Sequence, residues 1–256
     1  MREKMSLKQK LSFLKWLDPF NYVDLLLARV WPVGEKKNWK DELVYNLSYI
    51  GFAFLFAFII YSLLGFGLGT HSPLVVVVGK SMEPAYYEGD VLVLRGVNES
   101  QVSAPEVKLE NESLYETPLV EFASPRYYYN SDSALDTNSI EFKNGQIVPI
   151  SRSGSVVVYF SSYRFEPVIH RVVAKIKAKD GWYALTKGDN SQTNRFIDQD
   201  CGKVVPQLNY AERPCISLYA AKVSDLDGKA VFLIPRVGLI KLWLFDYLPK
   251  ALSGRN

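Results

Sequence analysis

The sequence predicts a mainly β domain carried by one N-terminal transmembrane helix, behind a short amphipathic helical arm. Three observations support this. A charge-free apolar run stands near the N-terminus, short β-branched segments follow it, and basic residues flank the run on one side only.

The run comes first in the chain. From Leu43 to Gly79 there is no Asp, Glu, Lys or Arg. Within it, LVYNLSYIGFAFLFAFIIYSLL (Leu43–Leu64) is 22 residues long, enough as a helix to cross a hydrocarbon core of about 30 Å. It is apolar all round, whereas a surface helix of a globular domain keeps a polar face. It begins after some forty residues and is too long for the apolar core of a cleaved signal peptide. Residues 43–68 are therefore expected to span, and residues 1–42 to form a cytoplasmic arm. The arm holds nine Lys/Arg against six Asp/Glu, with Lys36, Lys37 and Lys40 beside the span, and no Lys or Arg follows until Lys80. Because basic residues collect on the cytoplasmic side, the chain is expected to cross a cell membrane once, with residues 70–256 outside. Leu11–Trp31 carries Lys15, Asp18, Asp24 and Arg29, too many charges for a span. Pro19 divides it into two amphipathic pieces, which either lie on the inner membrane surface or fold into a small helical hairpin.

Past the span the periodicity changes. LVVVV (74–78), DVLVLRGV (90–97), SVVVYF (155–160), VIHRVVAKIKA (168–178), WYALT (182–186), SLYAAKVSDL (217–226) and KAVFLI (229–234) are short and rich in β-branched and aromatic residues. Gly, Asp, Asn and Pro punctuate them, so residues 70–97 and 151–256 read as one β domain built from hairpins and long crossovers. Helices do not alternate with the strands, which argues against a nucleotide-binding α/β fold. Residues 98–150 are polar, with a YYY cluster at 127–129, and read as an insertion or small subdomain. The apolar stretch 234–250 is broken by Arg236, Lys241 and Asp246, so it is expected to pack on the β domain or on lipid.

Composition narrows the chemistry. The exported part balances 21 basic against 21 acidic residues, which gives no electrostatic case for nucleic acid. Cys201 and Cys215 are the only cysteines and, in an oxidising compartment, are expected to form a disulfide. Two Cys at this spacing, with two His in the chain, do not make a metal ligand set. Asn98 and Asn111 stand in glycosylation sequons.

Gly79-Lys80-Ser81 could end a phosphate-binding loop, but the earlier glycine such a loop needs is Leu74, and Val75–Val78 is a β run. Pro84 would also interrupt the helix that receives the phosphate. The alternative makes Ser81 a nucleophile, which needs a base to take its proton. His71 and His170 are the only histidines. His170 lies in a strand and is followed by Asp189, Asp198 and Asp200, any of which could accept from one ring nitrogen and leave the other free for the serine proton.

KSMEPAYYEGDVLVL, then VVVYF and PVIHRVV, then TKGDN and a later aspartate resemble the motif series of the signal peptidase I family, in the form found in archaea and in the eukaryotic endoplasmic reticulum. The likeness covers roughly residues 45–97 and 150–240. It implies a membrane-anchored serine endopeptidase with a Ser–His–Asp site and no cofactor or metal. Its partners would be the signal peptides of secretory pre-proteins, membrane lipid and the protein translocation machinery. By this resemblance Ser81 is the nucleophile and His170 stands where the bacterial branch has a lysine base. Asp198 would orient the ring, and Asp189 of the GDN motif would support the site. The chain departs from the family in two places. Gly79 replaces a serine hydroxyl usual two residues before the nucleophile, and the gap from Asp189 to Asp198 is long, which keeps Asp200 a candidate. A membrane-tethered serine protease with a restricted set of precursors, and a non-catalytic β module that binds envelope proteins or glycans, are the alternative readings.

Overall fold

The computed structural model describes residues 18–30, 38–131, 134–201 and 215–248. The expected first amphipathic piece, together with Trp31, Lys36 and Lys37, lies outside them. The chain divides into two compact units, Met1–Leu64 and Gly65–Asn256.

In the first unit, helix α1 (Phe20–Val30) follows Pro19 and precedes the long helix α2 (Trp39–Leu68). α2 is 30 residues long and none of its side chains is buried. It is long and apolar enough to cross a membrane. Asp41 and Glu42 lie in its first turn, where carboxylates oppose the positive end of the helix dipole. The ring of Phe20 stacks on Tyr49 with centroids 5.9 Å apart and meets Phe52 edge-on at 5.5 Å. Asp24 accepts a hydrogen bond from the Tyr49 hydroxyl. These contacts tie α1 back onto the beginning of α2.

The second unit is a β domain. Its main sheet runs β1 (Leu74–Val76), β2 (Val91–Arg95), β11 (Gly228–Ile234), β7 (Val156–Phe160), β8 (Pro167–Ala178), β9 (Gly181–Lys187) and β10 (Ala221–Lys222). These neighbours are all antiparallel. β3 (Glu106–Leu109) pairs in parallel with residues 175–178 of β8, beyond the part of β8 that β7 covers. A second sheet, β4 (Ala123–Tyr129), β5 (Leu135–Phe142) and β6 (Ile147–Pro149), occupies much of the polar 98–150 segment.

β8 organises this domain. It is 12 residues long and buries Val168, Val172, Val173 and Ile176, and a bulge between Val172 and Ala174 shifts its register against β9. Beyond the bulge Ala174 and Ile176 are fully buried against Leu185, Phe122 and Ile140, in a core shared with the second sheet. Before the bulge Val168 and Val172 join Val157, Tyr159, Ala184 and Ile216 in a second core. Lys175 is buried by a 2.6 Å ion pair with Glu106 and by the face of Trp182, 4.7 Å from its ring centre. A third core, Leu92, Leu94, Val158 and Val77, lies beneath β1 and β2.

Two sequence expectations are corrected here. The strand at 74–78 stops at Val76: Val77 still donates to the Asp90 carbonyl but accepts from the Gly89 amide, so the pairing slips there by one residue. The strand expected over 217–226 shrinks to Ala221–Lys222, followed by a 3₁₀ turn at Val223–Asp225. The last turn of α2 joins this unit: Leu68 accepts from the Gly96 amide at 2.9 Å, and Thr70 donates its hydroxyl to the Asp227 carbonyl at 2.5 Å. Cys201 and Cys215 are disulfide-bonded.

Candidate active site

His170 lies on β8, opposite Val157 of β7. Alternation along the strand puts His170 and Val168 on one face, with Tyr159 opposite Val168, and sends Arg171 to the other face. The imidazole is buried, 3% exposed, and its Nδ1 stands 2.7 Å from Oδ2 of Asp198. The same oxygen accepts the Tyr159 hydroxyl at 2.9 Å. Asp198 is fully buried and fixed by its backbone. Its amide donates to the Thr186 carbonyl at 2.9 Å, and its carbonyl accepts from the Ile216 and Ser217 amides at 3.1 and 3.0 Å. The disulfide partners Cys201 and Cys215 bracket this cluster. Burial alone would push the Asp198 carboxyl up, but the adjacent imidazole and the hydrogen bonds from His170 and Tyr159 hold it below the ordinary carboxylate value. An ionised carboxylate can only accept, so Nδ1 carries the hydrogen, and in the neutral ring Nε2 is then the acceptor.

Ser81 lies in a turn, residues 81–85, five positions past the end of β1, not at a strand end as the sequence suggested. The buried side chain of Met82, 1% exposed, anchors this turn. Asn190 clamps it from the turn after β9. Its amide N–H donates to the Ser81 carbonyl and its side chain to the Lys80 carbonyl, each at 2.9 Å. Gly188 makes the approach possible, since a Cβ there would stand 2.7 Å from the Ser81 carbonyl oxygen. Arg171 pairs with Lys187 across β8 and β9, so one more step of that register sets Gly188 opposite His170. The Ser81 backbone is thus seated on the residue across from the imidazole. Among the described residues no hydrogen bond joins the Ser81 hydroxyl to the ring, a contact that often tightens only with substrate. Lys80 is exposed.

The other aspartates have different partners. Asp189 takes a bidentate ion pair from Arg171, at 2.8 and 2.6 Å, on the face of β8 away from His170. Arg171 also donates to the Gly154 carbonyl at 2.6 Å, and Arg152 donates to the Asp189 carbonyl at 3.0 Å. The hydrogen bonds to Asp189 raise the Arg171 pKa further, so this pair stays charged. Asp200 accepts the Tyr127 hydroxyl of β4 at 2.6 Å. His71 is exposed at the head of the domain, beside Asp227. Sequence reasoning gave no role to Tyr159, Gly188 or Asn190. The GDN motif held the signal for two of them, because a glycine directly after a strand marks a close backbone approach.

No protein-family model matches the chain. Among curated proteins, it is 26% identical over 219 residues to the signal peptidase complex catalytic subunit SEC11 of Clavispora lusitaniae, covering 85% of this chain and 93% of that protein. It is 26% identical over 205 residues to the signal peptidase complex catalytic subunit sec11 of Schizosaccharomyces pombe, covering 80% and 79%. To the human signal peptidase complex catalytic subunit SEC11C it is 25% identical over 214 residues, covering 83% and 78%. The chain is therefore similar, over most of its length, to catalytic subunits of the signal peptidase complex. These alignments take in most of the peptidase, so they extend past the motif segments into the polar 98–150 region. In this fold β8 and the segment after β9 bring His170 and Asp198 together, and the β9 turn holds the backbone of the 81–85 turn through Asn190.

Proposed function

We propose that this signal peptidase cleaves the signal peptides of exported pre-proteins through an acyl-enzyme on Ser81, with His170 as general base and Asp198 as the carboxylate that orients it. The observation that carries the reading is the buried 2.7 Å contact between His170 Nδ1 and Asp198, with the Ser81 turn clamped onto the residue across from His170. His170 Nε2 takes the Ser81 proton as Oγ bonds to the scissile carbonyl carbon. The imidazolium then gives that proton to the leaving amine as the C–N bond breaks. A water, deprotonated by His170, attacks the ester and restores the Ser81 hydroxyl. The developing oxyanion is met by the Ser81 N–H, which has no hydrogen-bond partner among the described residues. The tyrosine donor on Asp198 shares the charge that the ion pair develops.

The chain ahead of the scissile bond lies extended along β1, the edge strand of the main sheet, whose open side takes main-chain pairing. The membrane setting follows from α2, with the N-terminal arm in the cytoplasm and the β domain across the membrane. Lipid contact is supported by the outer face of β1–β2–β11. There Leu74, Val93 and Phe232 form a cross-strand row. Beside it the exposed Ile240, Trp243 and Phe245 extend an apolar, aromatic-bearing surface. The relatives are named as subunits of a complex, so this peptidase is also read as working with partner subunits and beside the translocation machinery.

Purified wild type and Ser81→Ala, assayed on a radiolabelled pre-protein in detergent, test the reading. It requires cleavage by wild type and none by Ser81→Ala; equal cleavage by both would refute it.

A further inference from the structure

The two members of the His170–Asp198 pair are held in different ways. His170 sits in the ladder between β7 and β8. Asp198 lies in irregular backbone, and so does the segment Cys215–Ser217 that packs against it. Among the described residues no ladder sets the distance between those two segments.

Asp198 is pinned from two sides. Toward β9 its amide donates to the Thr186 carbonyl at 2.9 Å. The neighbouring Gln199 side chain accepts from the Thr186 amide at 3.1 Å and donates to the Thr186 hydroxyl at 3.2 Å. On the other side the Asp198 carbonyl accepts from the Ile216 and Ser217 amides, at 3.1 and 3.0 Å. The disulfide closes this second side into a covalent ring. Cys201 stands three residues past Asp198, Cys215 directly precedes Ile216, and their Cα atoms are 4.7 Å apart. A cross-link between two irregular segments removes conformations that hydrogen bonds alone leave open.

The restraint bears on the carboxylate more than on the fold. An aspartate carries its carboxylate on a single CH₂, so the group follows its main chain, and the 2.7 Å contact with His170 leaves little slack. A misplacement of about 1 Å in such a group can cost roughly 100-fold in rate. The core around the pair is built mostly from strand residues, Val157 and Tyr159 of β7, Val168 and Val172 of β8, and Ala184 of β9. Ile216 joins it from the cross-linked segment, and its carbonyl accepts the Ser161 hydroxyl. Both cysteines are half-buried, so a reductant reaches them in the folded protein.

We propose that the Cys201–Cys215 disulfide is a positioning element of the active site, holding the Asp198 main chain where its carboxylate meets His170, so that opening the bond slows turnover while the β domain stays folded. The inference rests on the reading of His170 as base and Asp198 as orienting carboxylate, and adds the sulfur bridge to that machinery.

The test compares full-length protein in detergent before and after reduction by tris-carboxyethyl phosphine. The phosphine becomes its oxide, with oxygen from water, and the two sulfurs leave as thiols. Reduction should lower kcat about tenfold to hundredfold, with KM within twofold and the protein still folded at the assay temperature. In Asp198→Asn it should cost less than twofold, because the group it positions is already gone. Pairing Cys201→Ser with Cys215→Ser should reproduce the loss and abolish the response to phosphine. If that variant does not fold, the reduced wild type carries the comparison. The proposal is overturned if reduced wild type keeps kcat within twofold, or if Asp198→Asn loses the same factor as wild type.

A second readout does not need the nucleophile. In Ser81→Ala protein with labelled histidine, the buried proton between His170 Nδ1 and Asp198 gives a downfield, slowly exchanging NMR signal. Reduction should speed that exchange about tenfold or more, and an unchanged signal overturns the proposal. A signal that responds, together with pre-protein cleavage by Ser81→Ala, sinks the nucleophile and keeps the role of the disulfide. An unmoved signal, with cleavage confined to protein that retains Ser81, does the reverse.

Discussion

His170 and Arg171 are neighbours on one strand, and each ends on an aspartate, but the two pairs differ in kind. On one face an imidazole meets the fully buried Asp198 through a single ring nitrogen. On the other a guanidinium grips Asp189 with two hydrogen bonds. A guanidinium stays protonated at any working pH, so the second pair cannot move a proton and can only hold the β9 turn against β8. The first pair leaves a nitrogen with a lone pair and a carboxylate ready to stabilise the charge that follows proton uptake. The difference teaches that strand alternation, by sending adjacent residues to opposite faces, separates chemistry from bracing. Substitutions on the two faces should therefore fail in different ways.

The largest effect belongs to the imidazole. His170→Ala should lower kcat by about 10⁴–10⁶-fold while the protein melts within a few degrees of wild type. A quenched pre-protein peptide assay run beside a thermal melt checks both halves. If activity stays within tenfold of wild type, the comparison between the faces collapses, because the chemistry would lie elsewhere.

Asp198→Asn comes next. An amide in place of the carboxylate favours the wrong tautomer and removes the charge that stabilises imidazolium, so kcat should fall by about 10³–10⁴-fold. The same variant carries a pH signature. The Asp198 carboxyl is held below its ordinary value of 3.8 in the fold. A depressed carboxyl contributes stability that is fully present above the unfolded value and is lost as pH falls through the folded one. The difference in Tm between wild type and Asp198→Asn should therefore be constant from about pH 7 to pH 5 and shrink below about pH 4. A difference that instead grew on acidification would mean that Asp198 is buried neutral.

Bracing should fail through stability. Asp189→Asn leaves the Arg171 guanidinium in a largely buried place without its counter-charge, at a cost of about 3 kcal/mol. Denaturant unfolding should show this as a lower midpoint with unchanged slope. At a temperature where the variant is folded, its cleavage rate should stay within about tenfold of wild type, since the imidazole face is untouched. An equal loss of rate in Asp189→Asn and Asp198→Asn would erase the division between the faces.

How much of this was readable from residues alone follows the same division. The β8 pattern was legible because Val168, Ile169, Val172, Val173 and Ile176 fall within its twelve positions, and the span because α2 carries no charge past Glu42. The choice among Asp189, Asp198 and Asp200 was not derivable from pattern. All three follow β9 in irregular backbone, where no period says which face a side chain joins. Asp198 reaches His170 because distant backbone groups, at Thr186, Ile216 and Ser217, hold its main chain. The second sheet was hidden for another reason. β4 exposes Tyr128 and Tyr129, so its composition reads as polar, while Ile140, Phe142 and Val148 beneath it are too scattered to announce a core.

The smallest effect tests the clamp that joins the two parts of the site. Asn190→Ala keeps the backbone N–H that reaches the Ser81 carbonyl and removes the side-chain bond to Lys80, together with the bond the side chain accepts from the Gln192 amide. One exposed amide–carbonyl bond is worth about 0.5–1.5 kcal/mol, so kcat/KM should drop about threefold to tenfold with little change in melting temperature. Asn190→Asp is the sharper probe, because a carboxylate cannot donate to the Lys80 carbonyl and repels it. It should be worse than alanine, and a double variant with His170→Ala should show no further loss, since a displaced Ser81 matters only while a base is present. Full additivity in that double variant would mean that Asn190 acts on the fold and not on the approach of Ser81 to the ring.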